Sequence, residues 1–211
     1  MSLRARCPRC REELVEAGNG TECPVHGSLP PLWQPEEVSY DEFTDHLRTS
    51  AHFPTYLPWP MSPGWTVSDF AVVADPATGP VGTVTCCSGT SELDGPVDVF
   101  VVAEEAGVGL GGRCAGIVGD DPGPELGDGP PTARVRIGSQ MVPLWVVSMS
   151  QARGDFDRSV FAGESGGRWL WIVLRPASAM LLMRDEWILR DVSGVGPPLL
   201  EMPFGGPRPS W

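Results

Sequence analysis

The spacing Cys7-x2-Cys10-x12-Cys23-x2-His26 constrains this chain more than any other feature of it. Two ligand pairs flank a short spacer, the arrangement by which two tight turns converge on one tetrahedral ion. Pro8 and Pro24 each follow a cysteine and preset the backbone for a turn, and Gly27 after His26 accepts a positive φ. Arg11 stands where such a turn often carries glycine, so the first turn is expected to be the less ideal one. Thiolates and a neutral imidazole are borderline-soft donors, and four of them leave no position for water. The expected occupant is therefore one structural Zn²⁺ held by Cys7, Cys10, Cys23 and His26. A head this small builds no core of its own, so metal binding of about 10–16 kcal/mol would supply its folding energy. The competing readings are free thiols with an incidental histidine, or a redox pair in Cys7-Pro8-Arg9-Cys10. The redox reading lacks a surrounding βαβ unit, and the second ligand pair explains the first better.

The rest of the chain is punctuated by 26 glycines and 23 prolines in 211 residues, which favours turns and loops over long helices. The formal net charge is −12. In residues 1–27, Arg4, Arg6, Arg9 and Arg11 balance Glu12, Glu13, Glu16 and Glu22, so the whole deficit lies beyond the head. Such a balance argues against nucleic-acid binding, which needs a basic surplus to neutralise phosphates. All 15 basic residues are arginine. The lack of lysine removes Schiff-base chemistry, a P-loop lysine and a lysine general base. No apolar run reaches about 18 residues, so no membrane span is expected. The N-terminal MSLRARCPRC has no apolar stretch of a signal peptide, and the expected compartment is the cytoplasm, where cysteines serve as ligands or free thiols.

Ser39–Leu47 reads as a short helix, with Ser39 and Glu42 as a capping box and Tyr40, Phe43 and Leu47 on one face. The following stretch carries Pro54, Pro58, Pro60 and Pro63 among Phe53, Tyr56, Trp59 and Trp65, and is expected to be an irregular packed wrap. Beyond it, β-branched runs bounded by Gly, Pro and Asp read as strands. A hairpin is expected at ARVRI-GS-QMVPLWVVS, with Pro143 marking an edge or a bulge, and another around Ser165–Gly167. The run Trp169–Leu174 is apolar on both faces and is expected to be central. The period of ASAMLLM does not decide between helix and strand; EWILRDV is expected to be the last strand. The fold class that follows is α+β, mostly β: a small N-terminal zinc ribbon joined to an antiparallel sheet with few short helices. The expected division is 1–32 ribbon, 33–64 connector helix and Pro-rich wrap, 65–193 sheet domain, and 194–211 a Pro/Gly-rich tail with partial disorder.

Gly107–Gly112, GVGLGG, matches a dinucleotide loop letter for letter, but the Gly- and Pro-rich sequence after it suits no Rossmann helix; a structural turn is expected. A thiol nucleophile at Cys86, Cys87 or Cys114 would need a base, and only His46 and His52 remain. These cysteines are expected to be buried and structural. Of the carboxylates, Asp120–Asp121, Asp155 and Asp157 read as solvated surface, while Glu104–Glu105 is the pair best placed to line a cleft. The tryptophans read as core, with a few left for an exposed patch.

Several segments together resemble an uncharacterised actinobacterial family of zinc-ribbon-headed proteins of unknown function. They are CPRC…CPVHG, LPWPMSPGW, VVAEEAGVGLGGRCAG with DDPGP, VPLW, and VFAGESGGRWLWIVLRP with LLMRDEW, in that order over nearly the whole chain. The resemblance implies a bacterial cytoplasmic protein of two-part layout and carries no catalytic residues with it. Two functions are then expected. The first is a non-enzymatic zinc protein that docks an unidentified protein partner, with no nucleic acid and no membrane. The second is a small enzyme or ligand-binding domain with its site where Glu104–Arg113 meets the Pro-rich wrap, Glu104 and Glu105 as acid and base and Arg113 as anion partner.

Overall fold

A computed structural model describes residues 3–18, 20–75, 77–147, 157–184, 187–194 and 202–211. In chain order these hold β1 (Leu3–Arg6), β2 (Val15–Ala17), β3 (Gly20–Glu22), β4 (Leu32–Pro35), α1 (Tyr40–Thr49), β5 (Tyr56–Pro58), β6 (Thr66–Asp75), β7 (Gly79–Ser91) and β8 (Gly95–Glu104). There follow α2 (Leu110–Ala115), β9 (Ala133–Ile137), β10 (Gln140–Val146), β11 (Ser159–Ser165), β12 (Arg168–Arg175), a 3-10 segment over Ala177–Arg184, and β13 (Trp187–Asp191). The molecule is mostly β with few short helices. No helix among the described residues is long and apolar enough to cross a membrane.

Eleven strands make one sheet in the order β1-β4-β6-β7-β8-β12-β11-β10-β9-β13-β5, while β2 and β3 form a small hairpin in the head. Both expected hairpins form. β9 and β10 turn at Gly138–Ser139, with Ala133 and Val135 buried and Arg134 and Arg136 exposed. β11 and β12 turn at Gly166–Gly167. Pro143 sits in the part of β10 that pairs only with β9; pairing with β11 begins at Trp145, so the missing donor breaks no bond there. One pairing departs from an all-antiparallel sheet. The 3-10 segment that ASAMLLM adopts runs past β12, β11 and β9, and β13 arrives parallel to β9.

β12 is central, as its two-sided apolar sequence requires. Its alternate residues feed two cores. Leu170, Ile172 and Leu174 join Val97, Val99 and Val101 of β8 and Val135 of β9 on one face. Trp171 and Val173 join Phe100 and Val102 of β8 and Leu110 and Cys114 of α2 on the other. The first core lies inside a curl: the far edge returns over β7, where Thr83 Oγ1 donates to Pro54 O and Thr85 Oγ1 to Tyr56 O, each at 2.6 Å. A third core forms beneath α1, from Phe43, Leu47, Phe70, Val67 and Met202. Ser39 caps α1, its Oγ accepting from Glu42 N at 3.3 Å, but Glu42 Oε2 is buried without a partner, so only one arm of the capping box forms.

Of the tail expected to be partly disordered, residues 195–201 lie outside the described residues, while residues 202–211 are ordered. Residues 202–211 pack against the sheet: Phe204 bridges Val67, and Trp211 is buried against Phe100. Trp211 Nε1 donates to Asp69 Oδ2 at 2.7 Å, and Arg208 Nε lies 3.2 Å from Asp69 Oδ1. Asp69 is almost wholly buried; burial holds its carboxyl above the ordinary value, and these donors together with Gln34 Nε2 at 2.6 Å offset part of that cost.

Candidate metal centre

The two knuckles of the head bring Cys7, Cys10, Cys23 and His26 together, with all donor atoms within 4.8 Å of one another. Cys7 Sγ lies 3.5 Å from His26 Nδ1, Cys23 Sγ 3.6 Å from the same nitrogen, and Cys10 Sγ 3.6 Å from Cys23 Sγ. For a metal–sulfur distance of about 2.3 Å, the edges of a tetrahedral shell are about 3.5–3.8 Å long, and these three separations match such edges. The two knuckles share a local geometry. Arg9 N points to Cys7 Sγ and Val25 N to Cys23 Sγ, each at 3.4 Å. Cys23 and Gly27 close the second knuckle by exchanging backbone bonds at 2.9 and 2.8 Å, with Gly27 at φ +70°. Burial works against ionisation of Cys23, but the amides of Val25 and His26 together with the His26 and Cys7 side chains bring the metal-free thiol down to about 6. At Cys7 burial dominates and pushes the thiol up to about 12. Metal binding at this cluster therefore releases protons.

The head is seated on the glycine-rich segment a hundred residues downstream. Arg9 lies across Gly109: its Nε donates to Val108 O at 3.2 Å, its Nη2 to Gly107 O, and its Nη1 pairs with Asp120 at 2.9 Å. Arg113 returns the contact from α2, donating through Nη1 to Cys7 O while its guanidinium stacks 4.8 Å from the Trp211 ring. GVGLGG is thus a structural turn, with a use for its glycines. A Cβ at Gly109 (φ +84°) would stand 2.9 Å from Arg9 Cγ, and one at Gly111 would stand 2.2 Å from Trp171 Nε1.

The expected acid/base pair is split by the fold. Glu105 is exposed, whereas Glu104 is completely buried and caps α2, accepting from Leu110 N at 2.6 Å and Gly111 N at 3.1 Å. Burial pushes its carboxyl up to about 8 against these amides. The indole of Trp171 lies close enough to favour the anion without reaching hydrogen-bond geometry. Nor does the segment meet the Pro-rich wrap: Trp59, Pro60, Met61 and Trp65 instead line a cavity of about 320 Å³ with Leu182 and Trp187. Cys86, Cys87 and Cys114 are buried, and burial raises each thiol, to about 12 for Cys87 and Cys114. His46 is buried against Phe43 and Phe70, and burial holds it neutral down to about 3; it does not approach these thiols as a base. His52 is exposed. Among the carboxylates read as solvated, Asp120 and Asp121 are structural, Asp121 Oδ1 accepting from Gly107 N and Trp169 Nε1. Asp157 pairs with Arg158 at 2.7 Å, and Asp155 lies outside the described residues.

A comparison with protein families decides the chain's kinship. It matches a family of unknown function, DUF6758, over residues 1–211. The chain belongs to that family. No curated protein and no solved structure matches it. The DUF6758 chain therefore carries a candidate Cys₃His metal centre with no function attached by kinship.

Proposed function

We propose that this DUF6758 protein is a non-enzymatic, cytoplasmic bacterial zinc protein whose head, closed by one structural Zn²⁺, presents a docking surface to a protein partner. The observation that carries the reading is the closed donor set: three sulfurs and one imidazole nitrogen within 4.8 Å of one another, all from the protein. Such a shell leaves the ion no open position for a substrate. The remaining thiols and His46 are buried, which supports a non-catalytic role. Free thiols throughout the described chain suit a reducing compartment. In the head, Val15 and Val25 stand 50% and 64% exposed, apolar side chains that a partner would cover.

Two measurements test this. Protein purified without chelators should contain one equivalent of zinc, and less than half an equivalent contradicts the site. A photo-crosslinker at position 25 in the metal-loaded protein, used in the native host, should capture one protein species, and Val15→Asp or Cys7→Ser added to it should abolish the capture. Capture that survives a fully demetallated head contradicts the docking role.

A further inference from the structure

A cavity of about 290 Å³ opens beside the metal cluster, lined by Arg9, Arg11, Arg113 and Arg158 together with Cys10 and Ile117. Four arginines around one cavity run against the charge of the chain, which is −12. Two of them are matched by carboxylates, Arg9 by Asp120 at 2.9 Å and Arg158 by Asp157 at 2.7 Å. Arg11 and Arg113 have no carboxylate partner among the described residues. A Zn²⁺ held by three thiolates and an imidazole carries one net negative charge, which balances at most one of them.

Three of the four have evident structural work. Arg9 bonds the carbonyls of Gly107 and Val108, Arg113 that of Cys7, and Arg158 that of Cys114 at 3.0 Å. Two facts are left over. Arg113 is 93% buried, at 7% exposure, yet its Nε and Nη2 have no hydrogen-bond partner. Unmet donors on a buried cation are costly unless something else supplies the acceptors. Arg11 lines the cavity and is exposed, in the turn position that often carries glycine. Among the described residues it makes no side-chain hydrogen bond or ion pair.

We propose that this cavity binds the phosphate group of a small phosphorylated ligand. Guanidinium forks match phosphate oxygens two at a time, and the two guanidiniums without a carboxylate partner suit an anion. The volume holds a compact ligand head, near the lower end of small-molecule sites. The cavity shares its wall with the metal centre through Cys10 but takes no coordination position from the ion. Phosphate binding is accordingly independent of the protein-docking role.

Inorganic phosphate is the probe. It is titrated into metal-loaded, full-length protein at constant ionic strength, with binding read by calorimetry and by broadening of the phosphorus NMR line. Saturable binding is expected, weakened about tenfold or more by Arg11→Gln and by Arg158→Gln and unchanged by Arg48→Gln on α1. Zinc content should stay at one equivalent in Arg11→Gln, which separates loss of the anion site from loss of the head. If that variant loses zinc, Arg158→Gln decides. Absence of saturable phosphate binding overturns the proposal, as does equal affinity in wild type and the deciding variant. Binding of succinate in place of phosphate overturns it as well.

Discussion

At the scale of single residues, the convergence of Cys7, Cys10, Cys23 and His26 into one candidate metal cluster was legible because the constraint is local. Cys7–Cys10 and Cys23–His26 each close within one turn, so spacing alone fixes their geometry. Glu104 was not legible: a carboxylate at the end of a strand gives no sign that the chain folds back to place two amides over it. The fold sets its titration. Burial raises its carboxyl from 4.5 to about 8, so its contribution to stability is present below about pH 4.5 and is lost as the pH rises through about 8. Glu104→Gln should flatten the fall in stability between pH 5 and 9 relative to wild type, while costing about 1 kcal/mol at pH 5 for the cap bond it loses. Urea midpoints across that range check this, and parallel curves for the two proteins contradict it. His46 acts in the opposite sense. Burial lowers it from 6.5 to about 3, so its contribution is present above about pH 6.5 and is lost as the pH falls toward 3. Proton competition for the thiolates and His26 adds metal loss on the same acid side, which zinc release followed with a chromogenic chelator would separate from unfolding.

At the scale of elements, α1, the two hairpins and β12 follow from period and turn chemistry, each a matter of a few neighbouring residues. The junction between the head and α2 does not. Arg9 and Gly107 are separated by 98 residues, and neither residue type announces the other. The segment expected to be a structural glycine turn is one, and it is also the seat on which the cysteine-bearing head rests. Arg9→Ala removes two charge-assisted bonds to carbonyls and one ion pair, and should cost about 2 kcal/mol with zinc retained. Limited proteolysis should then cut within residues 3–27 faster than in wild type; an unchanged cutting rate would show that the head stands without its seat. Gly111→Ala tests the junction from below. Its methyl would meet the indole of Trp171, and overpacking of this kind costs about 1–3 kcal/mol.

At the scale of the whole molecule, strand content and the centrality of β12 were read from composition and pattern, whereas sheet closure was not. β1 and β4 extend the sheet from the head end, and β5 returns over β7 from the other. Register over such distances is set by tertiary packing, for which the chain's local pattern holds no code. The Pro/Gly-rich tail shows the same limit. Its composition suggests disorder, yet Trp211 completes a core and bonds Asp69, 142 positions earlier. Trp211→Ala should destabilise the protein by about 3 kcal/mol or more, and a urea midpoint within error of wild type would place the tail outside the folded unit.

The tail and the head meet at one residue, since Arg113 stacks on Trp211 and bonds Cys7 O. The central claim is that the head, closed by its proposed metal, and the sheet body form one cooperative structure through that contact and the Arg9 seat. Hydrogen exchange on the full chain, with the metal bound and after its removal by a chelator, tests this most directly. The account predicts faster exchange on removal both in residues 5–27 and in residues 107–116 of the body. Faster exchange confined to the head, with residues 107–116 unchanged, would contradict it.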